Sequence, residues 1–378
     1  MTFLSDDLLA TVHGRAAGYD RDNAFFTEDL ADLAAAGYLA AHVPSEWGGA
    51  GLSLLEMVHE QSRLAAAAPA TALAVNMHQV WCGVARVLHD RGDHSLDLVL
   101  RDAAAGEVFG FGISERGNDL VLFGSATRAE PDGEGGYRYH GTKIFTSLAP
   151  AWTRLGVHGL DESDPEDPRI VYGFVTRDGV ETSDDWDTLG MRATQSRTTV
   201  LDGAHAPADR VVRRLPAGPN PDPFVFGIFA CFEILLSSVY LGLAQRALDL
   251  AVATVGNRTS MKTGGAYAHD PDIRWRLATA AMALDGATTQ LHALAADVDA
   301  QTDHGRWWFA KLAGVKVRAT ETAKDVVDAA IRVSGGGSYF TRNELSRLYR
   351  DVLAGLFHPG DDESAHSTVA TALLGPLP

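Results

Sequence analysis

The sequence predicts a mainly helical α+β fold with an N-terminal helical domain, a middle antiparallel β-domain and a C-terminal four-helix bundle. Three observations predict it. The first hundred residues and the last hundred and fifty are Ala/Leu-rich with helical spacing. The stretch between them breaks into short β-rich runs separated by Gly, Asp, Pro and Glu turns. Finally, the run Leu215-Pro-Ala-Gly-Pro-Asn-Pro-Asp-Pro223 can be neither helix nor central strand, and so marks a boundary. The domains read from this are 1–105, 106–218 and 219–378.

In chain order, Leu30, Leu33, Ala34 and Tyr38 set one helical face, and Met57, Glu60, Gln61 and Leu64 another. The turn-rich His42–Gly51 stops one helix before Ser53 caps the next. Strands are expected at Val108–Ile113, Tyr137–Tyr139, Thr153–His158, Ile170–Thr176 and Thr198–Leu201, in an antiparallel sandwich or barrel. Helices follow near 224–256, 270–300, 306–333, 343–357 and 361–374.

Composition excludes several classes. Lys+Arg 32 against Asp+Glu 49 gives a net charge of −17, which repels polyphosphate, so nucleic acid is not an expected partner. Two cysteines, Cys82 and Cys231, are too few for a disulfide scaffold and sit in apolar stretches. The opening MTFLSDDLLATVHGR lacks a basic start and apolar core, and a cytoplasmic setting is expected. Pro223–Ala244 is long and apolar enough to cross a bilayer, but Glu233 at its centre favours a helix buried in a bundle. No metal set is read: the histidines follow no HExxH spacing and no CxxC occurs. Gly335–Gly337 follows a helix rather than a strand, so a Rossmann site is unsupported.

Five segments carry the chemistry: Phe109–Asp119 (FGFGISERGND), Gly141–Ser147 (GTKIFTS), Leu189–Ser196 (LGMRATQS), Gly242–Asp249 (GLAQRALD) and Val333–Gly337 (VSGGG). In this order and spacing they resemble the acyl-CoA dehydrogenase superfamily of flavoproteins, over nearly the whole chain. The resemblance implies FAD held between the β-domain and the bundle. It puts Ile113 and Ser114 at the ring's pyrimidine edge, Phe145 against the flavin, Thr146 beside it and Ser147 facing N5. Short hydroxyls suit those edges, which gain electron density on reduction. It further implies that Arg258, Arg332, Gly335 and Gly336 contact the pyrophosphate side, with Arg332 standing where Gln is usual.

The resemblance also marks a departure. The C-terminal run that usually carries the catalytic Glu reads here Arg350-Asp351 followed by Val-Leu-Ala-Gly-Leu-Phe-His358-Pro359-Gly360, and Pro359 falls on the Glu position. A proline accepts no proton. Candidate bases are therefore His358 and Glu233, the latter one residue out of place on its helix, a rotation of about 100°. His78 is a possible second histidine, since a similar Arg-Asp…His run occurs in the flavin-dependent monooxygenase branch. For each histidine, a structural imidazole is the plain alternative. The expected activity is α,β-dehydrogenation of an acyl thioester with hydride passing to the flavin. The alternative is monooxygenation with reduced flavin from a separate reductase and O2, and a flavin-free scaffold is a third reading. Expected partners are the acyl thioester or another small substrate, an electron-accepting flavoprotein or flavin reductase, and further copies in a homodimer or homotetramer.

Overall fold

The computed structural model describes residues 3–377. Five helices come first: α1 (Asp6–Asp22), α2 (Thr27–Ala35), α3 (Leu54–Ala67), α4 (Pro69–His89) and α5 (Asp97–Ala104). Ser53 caps α3, and Glu56 closes a reciprocal capping box. Pro69 opens α4, where the missing N–H costs nothing. The interior of α4 is buried almost all round, so it forms the floor on which the sheet sits.

Eight strands follow: β1 (Phe109–Gly112), β2 (Arg128–Pro131), β3 (Tyr137–Thr146), β4 (Arg154–Asp161), β5 (Arg169–Val175), β6 (Val180–Thr182), β7 (Arg197–Ala206) and β8 (Val211–Pro216). They form one sheet in the order β6-β7-β3-β2-β4-β5-β8, with β1 added on β4. The expected all-antiparallel arrangement needs a correction. β1 pairs with β4 in parallel, Phe109 opposite Arg154 and Gly112 opposite Val157, and β2 touches β4 in parallel at Arg128–Leu160. The β2–β3 hairpin lies between β1 and β4, so the chain re-enters β4 in the direction of β1.

Sheet and helices meet at Trp81 of α4. Its indole N–H donates to the Gly110 carbonyl at 3.0 Å, and Phe111, Phe174 and Phe224 surround its rings. A Cβ on Gly156 of β4 would lie 2.4 Å from the indole, so only glycine admits this contact.

The C-terminal helices are α6 (Pro223–Asn257), α7 (Pro271–Asp299), α8 (Trp308–Ser334), α9 (Glu344–Val352) and α10 (Asp362–Leu374). Helix α6, apolar enough by composition to span a membrane, is buried over 89% of its most apolar window and packs on α3, α4, α7 and α8. Its apolar surface is spent on neighbouring helices.

Candidate functional site

A cavity of about 300 Å³ opens where α4, the sheet and the C-terminal helices converge. Helix α4 contributes Leu73 and Met77, β1 contributes Phe111, and α6 contributes Phe232, which stacks on Phe111 at 5.6 Å. Phe145, Trp186, Leu189 and Met191 line it as well, as do Leu353, Ala354, Phe357, His358 and Pro359. The polar groups are few: hydroxyls of Ser114, Ser147, Thr188, Thr194 and Ser196, the Arg350 guanidinium and the His358 imidazole. An apolar hollow with a few converging polar groups is the usual form of a small-molecule site.

The backbone around it is unusual. Phe145, Leu148, Met191 and Gln195 all hold left-handed backbone angles, with φ of 56°, 62°, 53° and 44°. Each such non-glycine residue costs on the order of 1–3 kcal/mol and survives only where its surroundings fix it. Here Asp351 accepts the Met191 N–H at 2.6 Å, and Arg350 donates to the Leu189 carbonyl while pairing with Asp20. The Arg-Asp pair is thus a clasp on the 189–191 wall.

The loop carrying Ser114 is held from behind. Glu115 is buried and pairs with buried Lys143 of β3 at 2.7 Å, and it accepts further bonds from Thr127, Ala126, Ser125 and Asn118. Lys143 also donates to the His158 carbonyl and contacts that ring's Nδ1. Burial works against the Glu115 charge, but Lys143 and the donors overcome it and hold the carboxyl down to about 2. Both residues lie inside the recognised segments, yet their charges serve the loop and do not face the cavity.

His358 stands half-buried at the cavity edge. Its Nε2 lies 2.7 Å from the Tyr240 hydroxyl, and its carbonyl accepts from Lys316 Nζ at 3.1 Å. Burial first, and the Lys316 charge second, push the imidazole down to about 3, so the ring is neutral at ordinary pH.

Of the sequence candidates, Ser114, Phe145, Ser147 and His358 line this one cavity. Ile113 and Thr146 lie buried directly beside them, and among the described residues Thr146 Oγ1 has no hydrogen-bond partner. The others are placed elsewhere. Glu233 is corrected: Phe232 takes the cavity position, and the Glu233 carboxyl is sealed beneath Gly360, where a Cβ would lie 2.4 Å from its oxygen. Burial raises that carboxyl, with the Lys316 charge opposing. His78 is corrected too: its Nε2 meets the Leu39 carbonyl at 2.7 Å and its Nδ1 accepts the Phe109 N–H at 3.0 Å. Both nitrogens are spent on backbone, and burial keeps the ring neutral. Arg332 is exposed and paired with Asp328 one turn back. Arg258 packs against Gly335 and donates to the Ser334 carbonyl, so Arg258, Gly335 and Gly336 form a group apart from the cavity.

Sequence reasoning missed Tyr240, Asp351 as a clasp, and the Ser196–Thr194 pair behind Ser147. The last lay inside the LGMRATQS segment. It also treated the histidines as scattered, whereas His89, His94 and Asp97 converge within 4.8 Å at the end of α4, away from the cavity.

Residues 7–97 match the N-terminal domain of acyl-CoA dehydrogenase, and residues 234–362 match its C-terminal domain. L-evernosamine nitrososynthase from a Micromonospora species is 32% identical over 366 residues, covering 93% of this chain and 85% of that protein. The chain belongs to the acyl-CoA dehydrogenase family. Within that family, the dibenzothiophene monooxygenase of Rhodococcus erythropolis is 26% identical, over 91% of this chain and 86% of that protein. The solved structure of KijD3 with FMN and dTDP-3-amino-2,3,6-trideoxy-4-keto-3-methyl-D-glucose superposes with a TM-score of 0.86 at 28% identity. It covers 98% of this chain and 91% of that one. This acyl-CoA dehydrogenase family member is accordingly a flavin-dependent oxidoreductase by descent.

The cavity's own chemistry fits a flavin. Flat aromatic walls suit an isoalloxazine, and the hydroxyls suit its heteroatom edge. Thr146 Oγ1 and Trp186 Nε1, beside or in the wall, are buried polar atoms without partners among the described residues.

Proposed function

We propose that this chain is a flavin-dependent monooxygenase that oxidises a nitrogen or sulfur atom of a small, largely apolar molecule. One observation carries the reading: among the described residues, no carboxylate lines the cavity. Removal of an α-proton from an acyl thioester needs a base at that position. Pro359 stands there, and the neighbouring imidazole is pushed down to about 3, too weak a base for the task. The expected dehydrogenation therefore gives way to its alternative.

Relatives support the same direction. The nitrososynthase and dibenzothiophene monooxygenase names describe oxygen transfer to nitrogen and sulfur, and the KijD3 structure holds FMN. FMN is accordingly favoured here over the expected FAD. Arg332, expected on the pyrophosphate side, pairs with Asp328. When bound in its reduced form, the flavin supplies two electrons with which O2 gives one oxygen atom to the substrate and the other to water.

The chain's own residues do the rest. Ser114 and Ser147 orient the ring through its polar edge, with Ile113 and Thr146 packed behind them. Phe145 and Trp186, edge to face at 6.2 Å, together with Phe111 and Phe232, exclude water from the reacting face. Tyr240 donates to His358 Nε2, which leaves the ring proton on Nδ1 for donation to an oxygen in the cavity. The chain works in the cytoplasm beside a reductase that delivers reduced flavin. Exposed Trp275 and Met282 on α7 support assembly with further copies.

The test mixes the protein carrying reduced FMN with oxygenated buffer in a stopped-flow absorbance experiment. A long-lived absorbing species distinct from free oxidised and reduced flavin is expected. Anaerobic addition of butyryl-CoA to the protein carrying oxidised flavin should leave the yellow colour unchanged. Bleaching by the thioester would return the site to dehydrogenation.

A further inference from the structure

Ser147 is the outer member of a chain of three hydroxyls. Its Oγ lies 2.7 Å from Ser196 Oγ, and Ser196 Oγ lies 2.7 Å from Thr194 Oγ1. Thr194 Oγ1 lies 2.9 Å from the Met191 carbonyl. All three hydroxyl residues are buried, with only a narrow face toward the cavity.

Counting protons fixes the direction of this chain. Three hydroxyls carry three protons, and there are three bonds to make. A carbonyl oxygen only accepts, so Thr194 donates to Met191, Ser196 donates to Thr194, and Ser147 donates to Ser196. No other arrangement makes all three bonds. The end of the chain is held firmly. The Met191 carbonyl also accepts the Thr194 backbone N–H at 3.1 Å, and the Met191 N–H is fixed on Asp351. Met191 and Gln195, both left-handed, bracket the turn that brings these groups together.

The proton of Ser147 is thereby committed away from the cavity, and its oxygen offers lone pairs alone to whatever binds. We propose that Ser196 and Thr194 act as positioning residues that make Ser147 an acceptor-only contact and so bias the site toward reduced flavin. The central ring of reduced flavin carries an N–H that such an oxygen receives. The oxidised ring has a bare nitrogen there, and two acceptors facing each other repel. The inference rests on the reading that a flavin occupies this cavity, and it adds the oxidation state that the protein selects. It fits a protein that accepts its flavin already reduced.

The experiment is an anaerobic titration of the flavin-free protein with FMN and, separately, with dithionite-reduced FMN. The midpoint potential of the bound flavin is measured alongside. The wild-type protein is expected to bind reduced FMN more tightly. Ser196→Ala keeps the Ser147 oxygen but frees its proton to turn toward the cavity. The ratio of reduced to oxidised affinity should then fall about 3- to 10-fold, the weight of one neutral hydrogen bond. A tenfold fall lowers the midpoint potential by about 30 mV for a two-electron couple. Thr194→Val should move the ratio in the same direction, and Ser147→Ala should weaken reduced FMN while relieving the repulsion of oxidised FMN.

A ratio unchanged in both Ser196→Ala and Thr194→Val overturns the proposal, as does a wild-type protein that does not favour reduced FMN. An unchanged ratio with altered substrate affinity alone would assign the chain to a substrate N–H and also overturn it. The oxygenase reading fails separately. If the ratios behave as expected but oxygen yields no new absorbing species, the relay stands and the oxygenation does not.

Discussion

His358 is the side chain on which turnover is expected to depend, and Tyr240 is the one that aims it. Replacing His358 with Ala removes the one imidazole that lines the cavity among the described residues and should lower turnover about 100-fold or more. Bound flavin should stay near wild-type content, because Ser114, Ser147 and the aromatic walls remain in place. Tyr240→Phe removes one hydrogen bond and leaves the ring free to swing, so a drop of roughly tenfold is expected. Steady-state rates and flavin content, measured together, check both. The pH profile adds a second measurement. With its pKa pushed down to about 3, the ring stays neutral as pH falls through 6.5, so no activity limb should appear there. A limb near 6.5 that vanishes in His358→Ala would show imidazolium chemistry instead. The candidate was legible because Pro359 displaced the usual acid while His358 kept its spacing from Arg350-Asp351. Glu233 and His78 were misread for a different reason. What disables them is contact with Gly360, Leu39 and Phe109, partners 31 to 127 residues away in sequence that a local pattern does not reveal.

Elements matter here as holders of loops. Helix α9 ends in Arg350-Asp351, and these two residues clasp the 189–191 wall through the Leu189 carbonyl and the Met191 N–H. Asp351→Ala should release the strained turn and weaken reduced-FMN binding by about tenfold or more, with the helical signal retained. Anaerobic fluorescence titration measures the first and circular dichroism the second. Strand β3 plays the matching part for the Ser114 loop through Lys143. Lys143→Met would leave the Glu115 carboxylate buried and unpaired, which costs about 3–5 kcal/mol. Adding Glu115→Gln should recover part of that loss, and urea midpoints for the two proteins check the coupling. The elements themselves differed in legibility. The long helices announced themselves by spacing, by Ser53 and Pro223, and by the glycine after α8. Strands β2, β6 and β8 did not, because they are short and largely uncovered, with Arg128, Glu130, Arg213 and Arg214 where an apolar alternation would have marked them. The parallel pairing of β1 with β4 joins residues 45 apart, which no local turn signal encodes.

At the scale of the whole molecule, stability is tied to pH through histidines held neutral. Burial pushes His42 and His158 down to about 3 and His78 to about 4, and His358 lies with them at about 3. In the unfolded chain each would titrate near 6.5. Below that pH the unfolded state binds protons that the folded state refuses, so stability present above 6.5 is lost as pH falls toward 4. Each such proton is worth about 1.4 kcal/mol per pH unit. Carboxyls raised by burial act in the opposite sense. Asp351, raised to about 6 by burial, and Glu233, raised likewise, take up protons in the folded state and offset part of the loss. A net uptake of about two protons on unfolding near pH 5.5 is expected, read as the slope of urea-derived stability against pH. His42 offers the sharpest check. Among the described residues neither ring nitrogen makes a close hydrogen bond, so His42→Leu removes a titrating group at little bonding cost. That variant should match the wild type at pH 7.5 and outlast it at pH 5, with the slope reduced by about one proton. An unchanged slope would show that His42 charges in place, leaving the acid sensitivity to His78, His158 and His358.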